Sequence, residues 1–375
     1  MSSLAGGGST EPEIRTRCGY IPNESLRSFE KALCQTGVVA AGRALHFGAD
    51  VACSGGLDCL IRSLWEYAIC HIGIASPRIF VYLKRRAEEI QAMMRTLPDE
   101  QAYRMEEFQI RVGEMVLTLR EAPARTVTAW PKVGPETHVE GWLRTVATAP
   151  ETEVVRRVWK AGGDMDVLRI VGAEICKAVG DGSTEKALFW VKWLFEEEVR
   201  IKKEVRGGTL TTVDRGGGTG KGGAGGKGVG FFVLGLYAET YKELMARGTV
   251  RMHEEFQTLL DLWRNGDKRV QGGAKKQILT VLTQILCEVP RWKVPAAPAL
   301  IKDPVALTTT IRQVPQFFRE VLAYDPPQAG AAVVKAFKAR GKVDAKATAK
   351  AKKGEGMAAK MDAFDAALEA YFGRG

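Results

Sequence analysis

LDCLIRSLWEYAICHI, residues 57–72, decides the fold class. Leu57, Leu60, Ile61, Leu64, Trp65, Ala68 and Ile72 recur at helical spacing and form an apolar stripe too broad for a half-exposed helix, so this element is predicted to be central. Helices are predicted on either side. Leu26, Phe29 and Leu33 share one face between Glu24 and Cys34. Val38–Cys53 reads as an Ala-rich helix carrying Ala41, Leu45, Ala49 and Ala52, and Ser54-Gly55-Gly56 is predicted to break the chain after it. Ser76-Pro77 reads as an N-cap followed by proline at the first helical position. Phe80, Leu83, Ala87, Ile90 and Met94 then step 3, 4, 3, 4. A fifth helix carries Met105, Phe108, Val112, Met115, Val116 and Leu119 and ends before Pro123. Thr126–Trp130 is the one short stretch that reads as a strand.

The second half follows a similar plan. Helical stripes run through Met165–Val179, Leu188–Val199, Val233–Leu244, Met252–Trp263 and Ile278–Val289, with Glu198 and Lys202 spaced as an i,i+4 ion pair. The two five-helix runs end alike, Leu117–Pro123 before Trp130-Pro131-Lys132-Val133 and Gln284–Pro290 before Trp292-Lys293-Val294-Pro295. A degenerate duplication and a chance likeness between two sets of amphipathic helices both fit this pattern. The expected architecture is all-α, with two tandem and conceivably duplicated multi-helix bundles. Its expected boundaries are a flexible N-terminus at 1–22, a first bundle at 23–135, a second at 140–300, a terminal helix at 301–327 and a disordered basic tail at 328–375.

Composition narrows the function classes. The 375 residues carry 54 Lys+Arg against 44 Asp+Glu, a net charge of +10. Between Val333 and Lys360 stand Lys335, Lys338, Arg340, Lys342, Lys346, Lys350, Lys352, Lys353 and Lys360, opposed only by Asp344 and Glu355. That one segment holds +7 of the total. It is rich in Ala, Lys and Gly with little apolar bulk after Phe337, a composition that does not pack a core. Such a tail resembles the Ala/Lys tails of linker histones and is expected to bind DNA phosphates without sequence choice, with a solubilising role as the alternative. Met361, Phe364, Leu368 and Phe372 after it have helical spacing. The longest apolar run, Val229–Ala238, is well short of the ~20 residues that span a bilayer. Met1–Thr10 has neither the basic nor the apolar region of a signal peptide. Seven cysteines without a C-x-x-C pair point to a reducing compartment inside the cell rather than to a disulfide framework, and the four histidines are too dispersed for a zinc site.

No catalytic signature stands out, and neither enzymatic activity nor a cofactor is expected. The glycine-rich segment 206–230 fails as a phosphate-binding loop because neither Lys221 nor Lys227 is followed by Ser or Thr. It reads as a flexible surface loop. Glu196-Glu197-Glu198 points three ways on a helix and reads as a solvated face. Trp130 and Trp292 beside lysines offer base stacking, with packing the more ordinary use.

The stretch Leu26–Phe80, above all Gly55-Gly56-Leu57-Asp58 and Ile72-Gly73-Ile74-Ala75-Ser76-Pro77-Arg78, resembles the helical region that follows the ATPase module in the bacterial replication-associated recombination ATPase. That region is related to the collar of sliding-clamp loaders. The stretch is also similar to uncharacterised proteins of large DNA viruses that carry this unit alone. The resemblance implies a collar-like bundle that oligomerises beside DNA-handling machinery, with a clamp-loader subunit as a partner. Neither Walker motif accompanies it, so ATP hydrolysis is not expected. Ile311-Arg312-Gln313-Val314-Pro315-Gln316-Phe317-Phe318 resembles a sliding-clamp-binding peptide. Ile311, Val314, Phe317 and Phe318 stand at its key positions, although Ile311 replaces the usual glutamine and Pro315 interrupts the turn. The alternative is that these apolar residues pack on the body. The functional expectation is a helical replication or recombination accessory protein with a DNA-contacting tail. The alternative is a structural or virion-associated interaction protein.

Overall fold

The computed structural model describes residues 14–126, 128–216, 226–265, 270, 272–327 and 330–338. Among them the chain is all-α. The helices are α1 (Pro22–Cys34), α2 (Val38–Val51), α3 (Leu57–Tyr67), α4 (Arg78–Thr96), α5 (Asp99–Arg104), α6 (Glu106–Glu121), α7 (Trp142–Val146) and α8 (Glu153–Val158). They continue as α9 (Asp166–Gly180), α10 (Thr184–Glu204), α11 (Val229–Ala246), α12 (His253–Arg264), α13 (Gly272–Cys287), α14 (Pro304–Ile311), α15 (Val314–Leu322) and α16 (Gly330–Lys338). Extended pairing is confined, among the described residues, to two isolated bridges, Asp164 with Thr211 and Arg251 with Ala296. No strand forms at Thr128–Trp130. Trp130 is instead fixed through its indole N–H, which donates to Thr280 Oγ1 at 2.7 Å.

Two compact units emerge, and neither is one continuous stretch. Among the described residues, unit 1 takes the chain up to Tyr67, Leu83–Ala122 and the chain from Ile301 to Lys338. Unit 2 takes Ala68–Tyr82 and Pro123–Leu300. This differs from the expected division into 23–135 and 140–300. An apolar stripe shows that a helix is buried but not which helix buries it. The stretch Leu26–Phe80 is itself divided between Tyr67 and Ala68.

In unit 1, α1 and α2 pack along one another. Gly48 permits the close approach, since a Cβ there would lie 3.3 Å from the Phe29 ring. Leu26, Phe29, Phe47, Leu60, Trp65 and Phe108 are fully buried. The predicted central stripe is indeed buried, and the chain before it is interrupted at Ser54-Gly55-Gly56 as the sequence predicts. The helices on either side meet at a kink, Ala52–Gly56, with Gly55 at φ +80°, a left-handed conformation that glycine adopts freely.

Unit 2 is built around α13, which touches α9, α10, α11 and α12. Its residues Ile278, Leu282, Ile285 and Leu286 are wholly buried. A π-turn, Ala68–Ile72, and the turn Gly73–Ala75 rest on the same helix. The hydroxyl of Ser76, expected to cap α4, is instead shared between the carbonyls of Ala299 and Leu300 at 3.1 and 3.0 Å.

Both chain segments expected to be flexible are partly built into the fold. Thr16, Arg17 and Tyr20 are buried in unit 1. Arg17 donates to Glu100 and to the Tyr324 carbonyl, and its backbone N–H donates to Ser54 Oγ at 2.9 Å. In unit 2 the first part of the glycine-rich segment lies against α10. Leu210 is fully buried, and its N–H donates to Glu198 Oε2 at 2.7 Å. Residues 217–225 fall outside the described chain.

Candidate nucleic-acid interface

The helix α16 carries the start of the lysine-rich segment. The folded chain was expected to end at Asp325-Pro326-Pro327. It resumes as this helix because Val333 and Phe337, one helical turn apart, have a cavity to fill. Both are wholly buried. Their seat is the kink Ala52–Gly56. A Cβ on Gly55 would lie 2.7 Å from Val334 Cγ2, and one on Gly56 would lie 2.9 Å from the Phe337 ring. The two glycines therefore make room for the C-terminal helix. Lys335 stands exposed on α16, and Lys338 is its last residue. Arg340, Lys342, Lys346, Lys350, Lys352, Lys353 and Lys360 lie outside the described residues, as does the Met361–Phe372 piece.

The clamp-binding reading of α14–α15 meets a physical obstacle. Val314, Phe317 and Phe318 are buried within unit 1, and Ile311 is half-buried. Phe318 stands edge-on to Phe108, with ring centroids 6.2 Å apart at 87°. Val314 occupies the space that a side chain at Gly113 would need. These side chains already form part of the core, so the expectation that they plug a partner's pocket is corrected in favour of packing on the body.

The titratable groups that the fold gathers are mostly spent on one another. In unit 1, Asp50 Oδ1 accepts from the Cys18 N–H at 3.0 Å, and Oδ2 accepts from Ser25 Oγ at 2.8 Å. Burial raises the Asp50 pKa, against the opposing effect of these hydrogen bonds. One turn earlier His46 Nε2 meets the Tyr20 hydroxyl at 3.2 Å, and burial lowers the imidazole to about 4. Burial also pushes the Cys18 and Cys53 thiols well up, which keeps them protonated and unreactive.

In unit 2, the expectation of a solvated face at Glu196–Glu198 is corrected. Glu197 and Glu198 are buried because segments before and after α10 cover them. Glu197 accepts from Arg200 and pairs with His138 Nδ1 at 2.8 Å. These bonds outweigh the upward push of burial and hold its carboxyl below the usual range. Glu198 pairs with Lys202 at 2.8 Å, as the spacing predicts. His138 stacks on Trp193 at 5.1 Å, and Trp193 in turn stacks with Trp142.

Sequence reasoning passed over Arg17, His46 and Asp50. Their only signal was a charged or polar residue set among apolar neighbours. Among the described residues no three His, Cys, Asp or Glu side chains come together as metal ligands, and no helix is long and apolar enough to cross a membrane. Comparison of the chain with protein-family models, with curated proteins and with solved structures gives no match in any of the three.

Proposed function

We propose that this chain is a non-catalytic helical scaffold that contacts DNA through its lysine-rich C-terminal segment, as an accessory of replication or recombination machinery. The observation that carries the reading is the segregation of charge: +7 of the net +10 lies between Val333 and Lys360. Supporting it, Val333 and Phe337 anchor the beginning of that segment to unit 1, so cations bound to DNA would stay tethered to a folded body. Release of counterions from the phosphates drives such binding and makes it salt-sensitive and indifferent to sequence. The likeness of Leu26–Phe80 to a clamp-loader collar supports self-association and a place beside DNA-handling machinery. The test compares the full chain with one ending at Lys338 in gel shifts on duplex DNA. The reading expects the shortened chain to keep its fold and lose most of its affinity. Equal affinity of the two would remove the tail from the account and favour a structural interaction protein.

A further inference from the structure

Unit 2 carries a groove of about 510 Å³, within the ~300–1,000 Å³ range of ligand sites. Its floor is one face of α11, where Gly235 and Ala238 keep the surface low. Gly235 also lets Val158 pack close, since a Cβ there would come 3.0 Å from that side chain. Long cationic side chains make the walls: Arg157 and Lys160 on one side, Arg215 on another, with Lys242 and Arg264 along the helices. Against these five cations the lining holds two carboxylates, Asp214 and Glu239.

Glu239 is shared between Arg157 at 3.3 Å and Lys242 at 2.5 Å, and Arg157 also reaches Glu243 at 2.9 Å. Arg215 is held by several contacts. It pairs with the fully buried carboxylate of Asp164, donates to Thr211 Oγ1 at 2.9 Å, and lies 5.2 Å over the Phe232 ring. Lys160 and Arg264 have no carboxylate partner among the described residues, so the groove keeps uncompensated positive charge. Phe231 lines the same groove, half-buried and braced edge-on by Trp263 at 5.2 Å. A braced aromatic ring among cations is the combination that binds single-stranded nucleic acid, with a base on the ring and phosphates on the cations.

We propose that this groove binds a single strand of nucleic acid, with a base stacked on Phe231 and its flanking phosphates on Lys160, Lys242 and Arg264. The site belongs to a different part of the chain from the lysine-rich tail and stands without it.

The test is photocrosslinking of the full-length protein to (dT)12 and to (rU)12, with adducts mapped by mass spectrometry. An adduct at Phe231 is expected. The double variant Lys242→Glu/Arg264→Glu, at two surface positions, is expected to cut its yield at least fivefold while adducts between residues 333 and 360 persist. Phe231→Leu, which keeps apolar contact with Trp263, is expected to weaken groove binding by roughly 5- to 150-fold without changing helicity. An adduct with only one oligonucleotide identifies that nucleic acid as the ligand. Adducts confined to the tail, or a Phe231 adduct untouched by charge reversal, would overturn the site. A Phe231 adduct with none in the tail would uphold the groove and remove the tail from the DNA-binding account.

Discussion

Single residues in this protein act mainly by what they exclude. Gly56 has no side chain, and that absence admits the Phe337 ring. Gly56→Ala puts a Cβ 2.9 Å from that ring and 2.8 Å from Val51 Cγ1. The expected cost is about 1–3 kcal/mol in urea unfolding, partly recovered by Phe337→Leu in the same chain. His46 acts through its protonation state. Its folded pKa of about 4 lies below the ordinary 6.5, so the unfolded chain binds the proton more readily. The contribution is intact above about pH 6.5 and is lost as pH falls towards 4, up to about 3 kcal/mol. Stability measured against pH should therefore decline over that window, and His46→Gln should flatten the decline. An unchanged slope would show that the imidazole is not held neutral. The buried Asp50 lies one turn away with a raised pKa. It has the opposite sign, weakening stability as pH rises above the usual carboxylate range.

Among the elements, α16 is the one whose removal is most informative. It buries Val333 and Phe337 completely, each worth about 1.5–3 kcal/mol, against the cost of ordering a short terminal helix. A chain ending at Pro327 should be less stable than one ending at Lys338 by about 1–3 kcal/mol. Val333→Asp with Phe337→Asp should reproduce that loss and expose the segment to protease, with the circular dichroism of the remaining helices preserved. Equal stability of the two truncated chains would mean that α16 does not dock in solution. The glycine pair at Gly55-Gly56 illustrates what periodicity leaves open. It reads as a break between helices and is one, a kink at Gly55, but the spacing does not reveal that the kink receives another element.

At the scale of the whole molecule the governing quantity is charge. Seven of the nine basic residues between Val333 and Lys360 lie beyond Lys338. If they meet phosphates, the slope of log affinity for duplex DNA against log salt should fall by up to about 6 when the chain is cut at Lys338. A slope unaltered by truncation would assign the salt dependence to the folded body. The all-α class, the position of most helices, the buried stripe through residues 57–72 and the concentration of charge were all legible in the sequence. Each depends on the spacing or composition of neighbouring residues, which a single chain displays without folding. The partner of each apolar face was not legible. Residues 68–82 join unit 2, the chain from Ile301 returns to unit 1, Phe318 meets Phe108, and α16 settles on two glycines far earlier in the sequence. The basic groove of unit 2 was equally hidden, because Arg157, Arg215, Lys242 and Arg264 are separated in sequence and share a wall only once α8, α11 and α12 have packed. Periodicity records that a surface is buried, but hydrophobic burial carries no direction, so only steric fit in three dimensions decides which surfaces meet.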